Sequence, residues 1–202
     1  MALTSRTART HALLLEGCGT AIAEQGLRGL TVEQVIQAAG KSRRTFYHYF
    51  PDLDAVLLGL YKDVVADLVG RIEAAVAGAK GPVNRLYAAL DAYLDFQEAG
   101  GRLVAELQAE AANPASPLWP TRIDTLHVLV DLTHREVHTT SGITVDPDVY
   151  SMLFHGLEAL VIQHRRQGPF APEVRARIET TVKAVFLTTL ASADKLPTAP
   201  VT

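Results

Sequence analysis

The chain has 202 residues, 48% apolar and 20% charged, with 14 glycines, 10 prolines and one cysteine. That balance excludes a disordered, collagen-like or linker-like chain, and the lone Cys18 excludes a disulfide framework and cysteine-built zinc or iron–sulfur centres. The formal net charge is −3, yet residues 1–50 hold six basic against three acidic side chains, so a head of +3 precedes a body of −6 and only the head suits a polyanion.

Alanine and leucine dominate, and aromatic residues are only 6% of the chain. This favours helix over sheet. No segment alternates with period two, so the fold class expected is all-α, with about nine helices. The first helix runs from about Thr4 to Gln25, with Leu14, Cys18 and Ile22 on one face and Gly26 as its stop. Cys18 therefore reads as a small core residue. Arg6 and Arg9 ahead of Leu13-Leu14-Leu15, with Ala21-Ile22-Ala23, imitate a secretion signal, and Leu15-Glu16-Gly17-Cys18 imitates a lipoprotein site. Glu16 interrupts that run, and three leucines are too short for a signal core. No stretch reaches about 20 uncharged apolar residues, so no membrane span is expected, and the protein reads as cytoplasmic.

Thr31-Val32-Glu33-Gln34 is a capping box that opens a helix of two turns, ended by Gly40. Ser42 caps a second short helix, Arg43 to Tyr49, which stops before Pro51. Asp52 and Asp54 favour the start of a fourth helix that runs to about Ala77. Further helices are expected over Val83–Ala99, opened by Pro82, over Arg102–Ala112, after Gly100-Gly101, and from about Trp119 to Thr139. Asp146-Pro147 opens the next, to Gln167; Gly168-Pro169 breaks it, and the last covers Val174 to Ala191. The organisation expected is a head over residues 1–52, a body over 53–193 and a frayed tail over 194–202.

Two short helices joined by a tight turn, Thr31–Ala39 and Ser42–Tyr49, form a helix-turn-helix. Val32, Val35, Ile36, Phe46 and Phe50 can pack the pair together, and Gly40 permits the turn. Arg43 and Arg44 stand on the first turn of the second helix, the part that meets major-groove base edges in such motifs. Free N–H groups and the helix dipole at that end also attract phosphate. Taken alone, the same pattern fits any two short helices of an α-bundle with a basic, solvated face.

The stretch Leu30–Asp52, LTVEQVIQAAGKSRRTFYHYFPD, closely resembles the DNA-binding head of TetR-type transcriptional regulators, most specifically in its ending Thr45-Phe46-Tyr47-His48-Tyr49-Phe50-Pro51. The resemblance implies a homodimeric, usually repressing regulator that binds a palindromic DNA operator and carries a small-molecule pocket in its body, with no cofactor. It places Arg43, Arg44 and Thr45 near base edges and phosphates, and Tyr47 and His48 against the DNA backbone. Thr31, as cap, would touch phosphate; Ser42 begins the reading helix; Phe46 and Phe50 would be core. Three residues depart from the family pattern. Ile36 stands where the family prefers alanine, which predicts a slightly wider helix pair. Lys41 replaces a small apolar turn residue and can lay its stem on the core while its ammonium seeks a phosphate. Leu53 occupies the place of a lysine that contacts phosphate, and Lys41 could compensate for that lost charge.

For the effector, aromatic bodies with polar tips suit an apolar cavity with a few polar anchors, which singles out Tyr93, Phe96, Trp119, His127, Phe154 and His155, with Tyr87 and Glu158 beside them. Each also fits ordinary packing. Homodimerisation is expected through the last two helices, whose apolar residues (Met152, Leu153, Leu157, Leu160 and Val161, then Ile178, Val182, Val185, Phe186 and Leu190) exceed one core face. His134 and His138 could chelate a metal only with a third ligand from elsewhere, so no metal site is expected. Phosphate-loop, nucleophile-elbow and HExxH motifs are all missing, which argues against an enzyme. A helical adaptor that binds only proteins is the other alternative; it predicts no salt-sensitive DNA binding.

Overall fold

The computed structural model describes residues 5–165, 168 and 171–192. Among them are nine helices and no strand: α1 Ser5–Gln25, α2 Val32–Ala39, α3 Arg43–Tyr49, α4 Leu53–Ala77, α5 Pro82–Ala99, α6 Gly101–Ala111, α7 Trp119–Ser141, α8 Pro147–Arg165 and α9 Pro172–Ser192. The fold is all-α, as its composition and periodicity predict. Local chemistry sets the boundaries. The Asp52 carboxylate accepts from the Ala55 N–H at 2.8 Å and caps α4. The Asp146 carboxylate accepts from the Asp148 N–H at 2.9 Å beside Pro147, the first residue of α8. Two ends differ from expectation by two residues: α7 continues to Ser141, and α9 begins at Pro172, again a proline at a first helical position; α6 starts and ends one residue earlier and α9 ends one later. The expected end of α8 at Gln167, Pro169 and the tail 194–202 lie outside the described residues.

The chain divides into two compact units. The first takes the chain up to Asp67 together with Gly100–Arg122; the second takes Leu68–Ala99 and the chain from Ile123 onward. Compactness thus cuts the chain differently from a division of roles at residue 52, because α6 and the start of α4 share the core of the first unit. That core gathers Leu14, Cys18 and Ile22 of α1, Val35 of α2, Phe46 of α3, Val56 and Leu60 of α4 and Leu107 of α6. Burial pushes the Cys18 thiol up to about 12, so it stays protonated.

Within this unit α1 crosses α2 at Gly17. A Cβ there would lie 2.6 Å from the Ala39 Cβ and 2.8 Å from the Val35 carbonyl oxygen, so only glycine permits the approach. The link from α1 to α2 is held from α6: Arg102 donates to the Glu24 carbonyl at 2.9 Å, and the Glu106 carboxylate accepts from the Leu27 N–H at 3.4 Å. Gly26, at φ 87°, turns the chain beneath that arginine.

In the second unit, Val130, Val137, Val145, Tyr150 and Phe186 form one buried cluster, and Leu90, Leu94, Val161 and Ile178 form another. Ion pairs tie α5 to α9. Arg175 meets Asp95 at 2.7 Å and Glu98 at 2.9 Å from α5, and Glu179 at 2.8 Å on its own helix. Lys183 reaches Asp91 at 3.4 Å and lies over the Tyr87 ring.

The α1 glycines give a paired prediction. Gly17→Ala should lower stability by about 1–3 kcal/mol, because its methyl group meets backbone that cannot yield cheaply. Gly19→Ala, whose Cβ would sit 3.5 Å from Leu103, should be neutral or stabilising by up to about 1 kcal/mol through helix propensity. Urea unfolding midpoints of the two variants check both.

Candidate nucleic-acid interface

The helix pair α2–α3 is built by its caps. The Gln34 N–H donates to the Thr31 hydroxyl at 3.4 Å, and the Thr31 N–H donates back to the Gln34 side chain at 2.8 Å, which completes the capping box. Gly40, at φ 61°, ends α2, and the Lys41 N–H then reaches the Ile36 carbonyl at 3.0 Å, closing the turn as a Schellman motif. Ser42 caps α3 by accepting from the Thr45 N–H at 3.2 Å, and its hydroxyl lies 2.9 Å from that of Thr45. Thr31, Ser42 and Thr45 thus hold the local geometry, with Thr31 and Ser42 still exposed.

The seven residues of α3 divide by face. Phe46 is fully buried and Phe50, just past the helix end, is 5% exposed, both in the core as expected. Arg43, Arg44, Tyr47 and His48 are exposed, Arg44 and His48 opposite the phenylalanines and Arg43 and Tyr47 along the flank. The two arginines differ in their surroundings. Arg43 donates to the Glu33 carboxylate of α2 at 2.6 Å, and its guanidinium lies 5.8 Å from the centre of the Tyr47 ring. A hydrogen bond with Tyr47, then the charge of Glu33, holds that guanidinium above its usual pKa. Among the described residues Arg44 and Lys41 have no ion pair. Lys41 is half-buried, as a snorkelling stem requires. Leu53 is half-buried against the core, so it serves packing where a charge is lost.

The six effector candidates are distributed. Trp119 belongs to the first unit, beneath the Arg122 guanidinium at 5.1 Å; the other five belong to the second. Tyr93 packs on the Leu90–Leu94–Val161–Ile178 cluster, and Phe154 on the cluster around Tyr150. Phe96 is buried, with Arg71 over its ring at 5.7 Å. The His155 ring lies 2.8 Å from the Ser151 carbonyl oxygen, and His127 is exposed. Two residues of this unit were not apparent from sequence. Gln97 and Tyr150 are 2% and 1% exposed, and the Gln97 side-chain oxygen and the Tyr150 hydroxyl have no hydrogen-bond partner among the described residues. Burial pushes the Tyr150 phenol up to about 12, so it remains a donor. For Gln97 a signal existed: it continues the stripe Leu90, Leu94 at helical spacing. Glu33 was also missed, although it stands on the first turn of α2 as Arg43 does on α3.

Histidine nitrogens on α7 hold the chain leading to α8. His134 Nδ1 lies 3.0 Å from the Val145 carbonyl oxygen and His138 Nδ1 3.2 Å from the Thr144 hydroxyl. Among the described residues no three His, Cys, Asp or Glu side chains are grouped to hold a metal ion, and no helix is long and apolar enough to cross a membrane. An open groove of about 610 Å³ lies in the first unit, walled by Leu15, Gly19, Leu60 and Leu103 with Glu16 and Asp63.

A buried aromatic inner face, capped short helices and a basic, aromatic outer face define a helix-turn-helix protein. Residues 15–60 match the family model described as bacterial regulatory proteins, tetR family. The likeness to that family is carried by this segment. It is 38% identical over 53 residues to the HTH-type transcriptional repressor AcnR of Corynebacterium efficiens, a match covering 26% of this chain and 28% of the relative. The matched segment thus spans little more than a quarter of that relative. Solved structures share the whole fold at low identity. A TetR-family transcriptional regulator from Streptomyces coelicolor superposes with a TM-score of 0.68 at 18% identity, over 90% of this chain and 96% of its own. The TetR-family repressor FadR of Thermus thermophilus, solved in complex with lauroyl-CoA, gives 0.64 at 18% identity, over 95% and 98%.

Proposed function

We propose that this protein is a cytoplasmic, effector-responsive transcriptional repressor that binds a palindromic DNA operator as a homodimer, with residues 1–52 as reading head and 53–193 as body. The observation that carries the reading is the exposed face of α3, Arg43, Arg44, Tyr47 and His48, set on a helix whose other face is anchored by Phe46. Arg44 and Arg43 are the base-reading candidates, and Thr31, Lys41, Ser42, Thr45, Tyr47 and His48 flank them toward the phosphates. The +3 charge of residues 1–50 favours the approach to DNA.

Dimerisation is supported by stripes on the last two helices. Met152, Gly156, Ala159 and Gln163 are exposed at intervals of four, three and four on α8, and Thr180, Ala184, Leu187 and Ala191 repeat that spacing on α9. Met152 is 65% exposed and Leu187 44%, while a Cβ at Gly156 would meet nothing within 4 Å, so a second copy could approach closely there. Such a seam suits a four-helix interface. A two-fold dimer presents two reading helices to half-sites about one DNA turn apart, or somewhat more.

An effector site in the second unit is supported by the unpartnered Tyr150 hydroxyl with Phe154 packed on its cluster, and by the unpartnered Gln97 oxygen. Buried polar atoms of that kind call for a partner. The effector class we assign is a mainly apolar or aromatic molecule with at least one hydrogen-bond acceptor for Tyr150. α4 contributes to both units and is the element through which effector binding would change the spacing of paired heads.

Footprinting on DNA around the protein's own gene tests the reading directly, and three outcomes are expected. Alanine at Arg44 should cost about 1–3 kcal/mol of operator binding and relax preference at one base, whereas Lys41→Ala should weaken all sequences evenly and flatten the salt dependence. Unchanged affinity in the Arg43→Ala, Arg44→Ala double variant would remove the assignment. Met152→Glu with Leu187→Glu should convert a dimer to monomer in sedimentation at micromolar concentration. An effector should weaken operator binding by about 5- to 150-fold, and operator should weaken effector binding by the same factor; a ligand that binds without this effect would refute the switch.

A further inference from the structure

Arg43 is the only described basic residue of the α2–α3 pair that is already matched to an acid, and that match sits inside the face assigned to DNA. Both partners are solvent-exposed, with side chains 61% and 58% accessible, so the pair adds little to stability. Its geometry matters more. Glu33 holds the guanidinium at 2.6 Å from the α2 side, and the Tyr47 ring lies against it from the next turn of α3. An arginine at the start of a reading helix has two kinds of target, the anionic phosphates and the neutral acceptors O6 and N7 of guanine. A phosphate brought to Arg43 is also brought to the Glu33 carboxylate, and the Arg43–Glu33 pair as a whole has no net charge with which to release a counterion. A guanine edge carries no charge, so Glu33 does not repel it, and the guanidinium keeps N–H groups beyond the one Glu33 uses.

We infer that Glu33 is a specificity-determining positioning residue: by pairing with Arg43 over Tyr47 it denies that arginine to the phosphate backbone and reserves it for a neutral base edge. The inference rests on the DNA-binding reading above and adds to it a role for an acidic residue within a basic face. Glu33 raises discrimination by weakening binding to the wrong DNA, and Lys41, which has no such partner among the described residues, supplies the general attraction.

The test uses full-length protein and two probes: mixed-sequence duplex DNA, and duplexes recovered by the wild type from a random-sequence pool. With E33Q, affinity for mixed-sequence DNA should rise roughly 5- to 10-fold at 0.1 M salt, and the slope of log affinity against log salt should steepen by about 0.9, one additional phosphate contact. In the recovered pool, preference should relax at the base position that R43A also relaxes, and at no other. In the R43A background, E33Q should change none of these. An E33Q protein with wild-type slope and base preference overturns the inference. So does an equal E33Q effect with and without Arg43, which would mean simple repulsion between Glu33 and phosphate. In either case salt-dependent binding by the wild type leaves the DNA-binding reading standing; a wild type that binds neither probe overturns both.

Discussion

The missing side chain at Gly17 is the constraint on which the head depends. Because α1 has only hydrogen there, Ala39 and the Val35 carbonyl of α2 come within a distance that no Cβ tolerates. Val35 thereby joins the buried core that also holds Leu14 and Phe46, and α2 is fixed against α1. Two turns of helix are not stable in water alone, so α2 and α3 exist as helices because α1 buries them. The turn chemistry at Gly40 and Ser42 then carries that fixed position into the direction in which α3 points its outer face. The reading role proposed for α3 needs a rigid helix, and one close helix crossing supplies that rigidity.

The same head shows what a sequence discloses easily. Caps, stops and turns are written within four residues of one another: Thr31 with Gln34, Ser42 with Thr45, Gly40 after Ala39. Physical chemistry acts there over the same short range that the eye scans, so the boundaries of α2 and α3 were legible almost to the residue. The face division of α3 was legible in part for the same reason, since Phe46 and Phe50 lie four positions apart and Arg44 and His48 fall on the other side, while Arg43 lies at the flank.

Interactions across long separations were less accessible. Leu27 and Glu106 are 79 positions apart, and nothing local to α6 announces that it clasps the link between α1 and α2. Residue type identified Tyr93, Phe154 and Trp119 as suited to a pocket, but not the cluster each would join; three different surroundings resulted. Gln97 illustrates the reverse case, a polar residue on an apolar stripe whose inward direction follows from the helical period but whose unpartnered oxygen depends on three-dimensional neighbours. Glu33 fell between the two. Its partner is ten residues away, close enough to suspect only once both helix starts are placed side by side.

Cys18 gives the molecule a native reporter. It is the only cysteine in the chain, wholly shielded between α1 and the rest of the head's core, with a thiol that burial keeps protonated. Alkylating reagents attack the thiolate, so the closed head is inert to them, and modification has to wait for the core to part. Each labelling event therefore records one opening of the first unit. The natural sequence thus permits openings of the first unit to be timed, with no probe introduced and no residue exchanged.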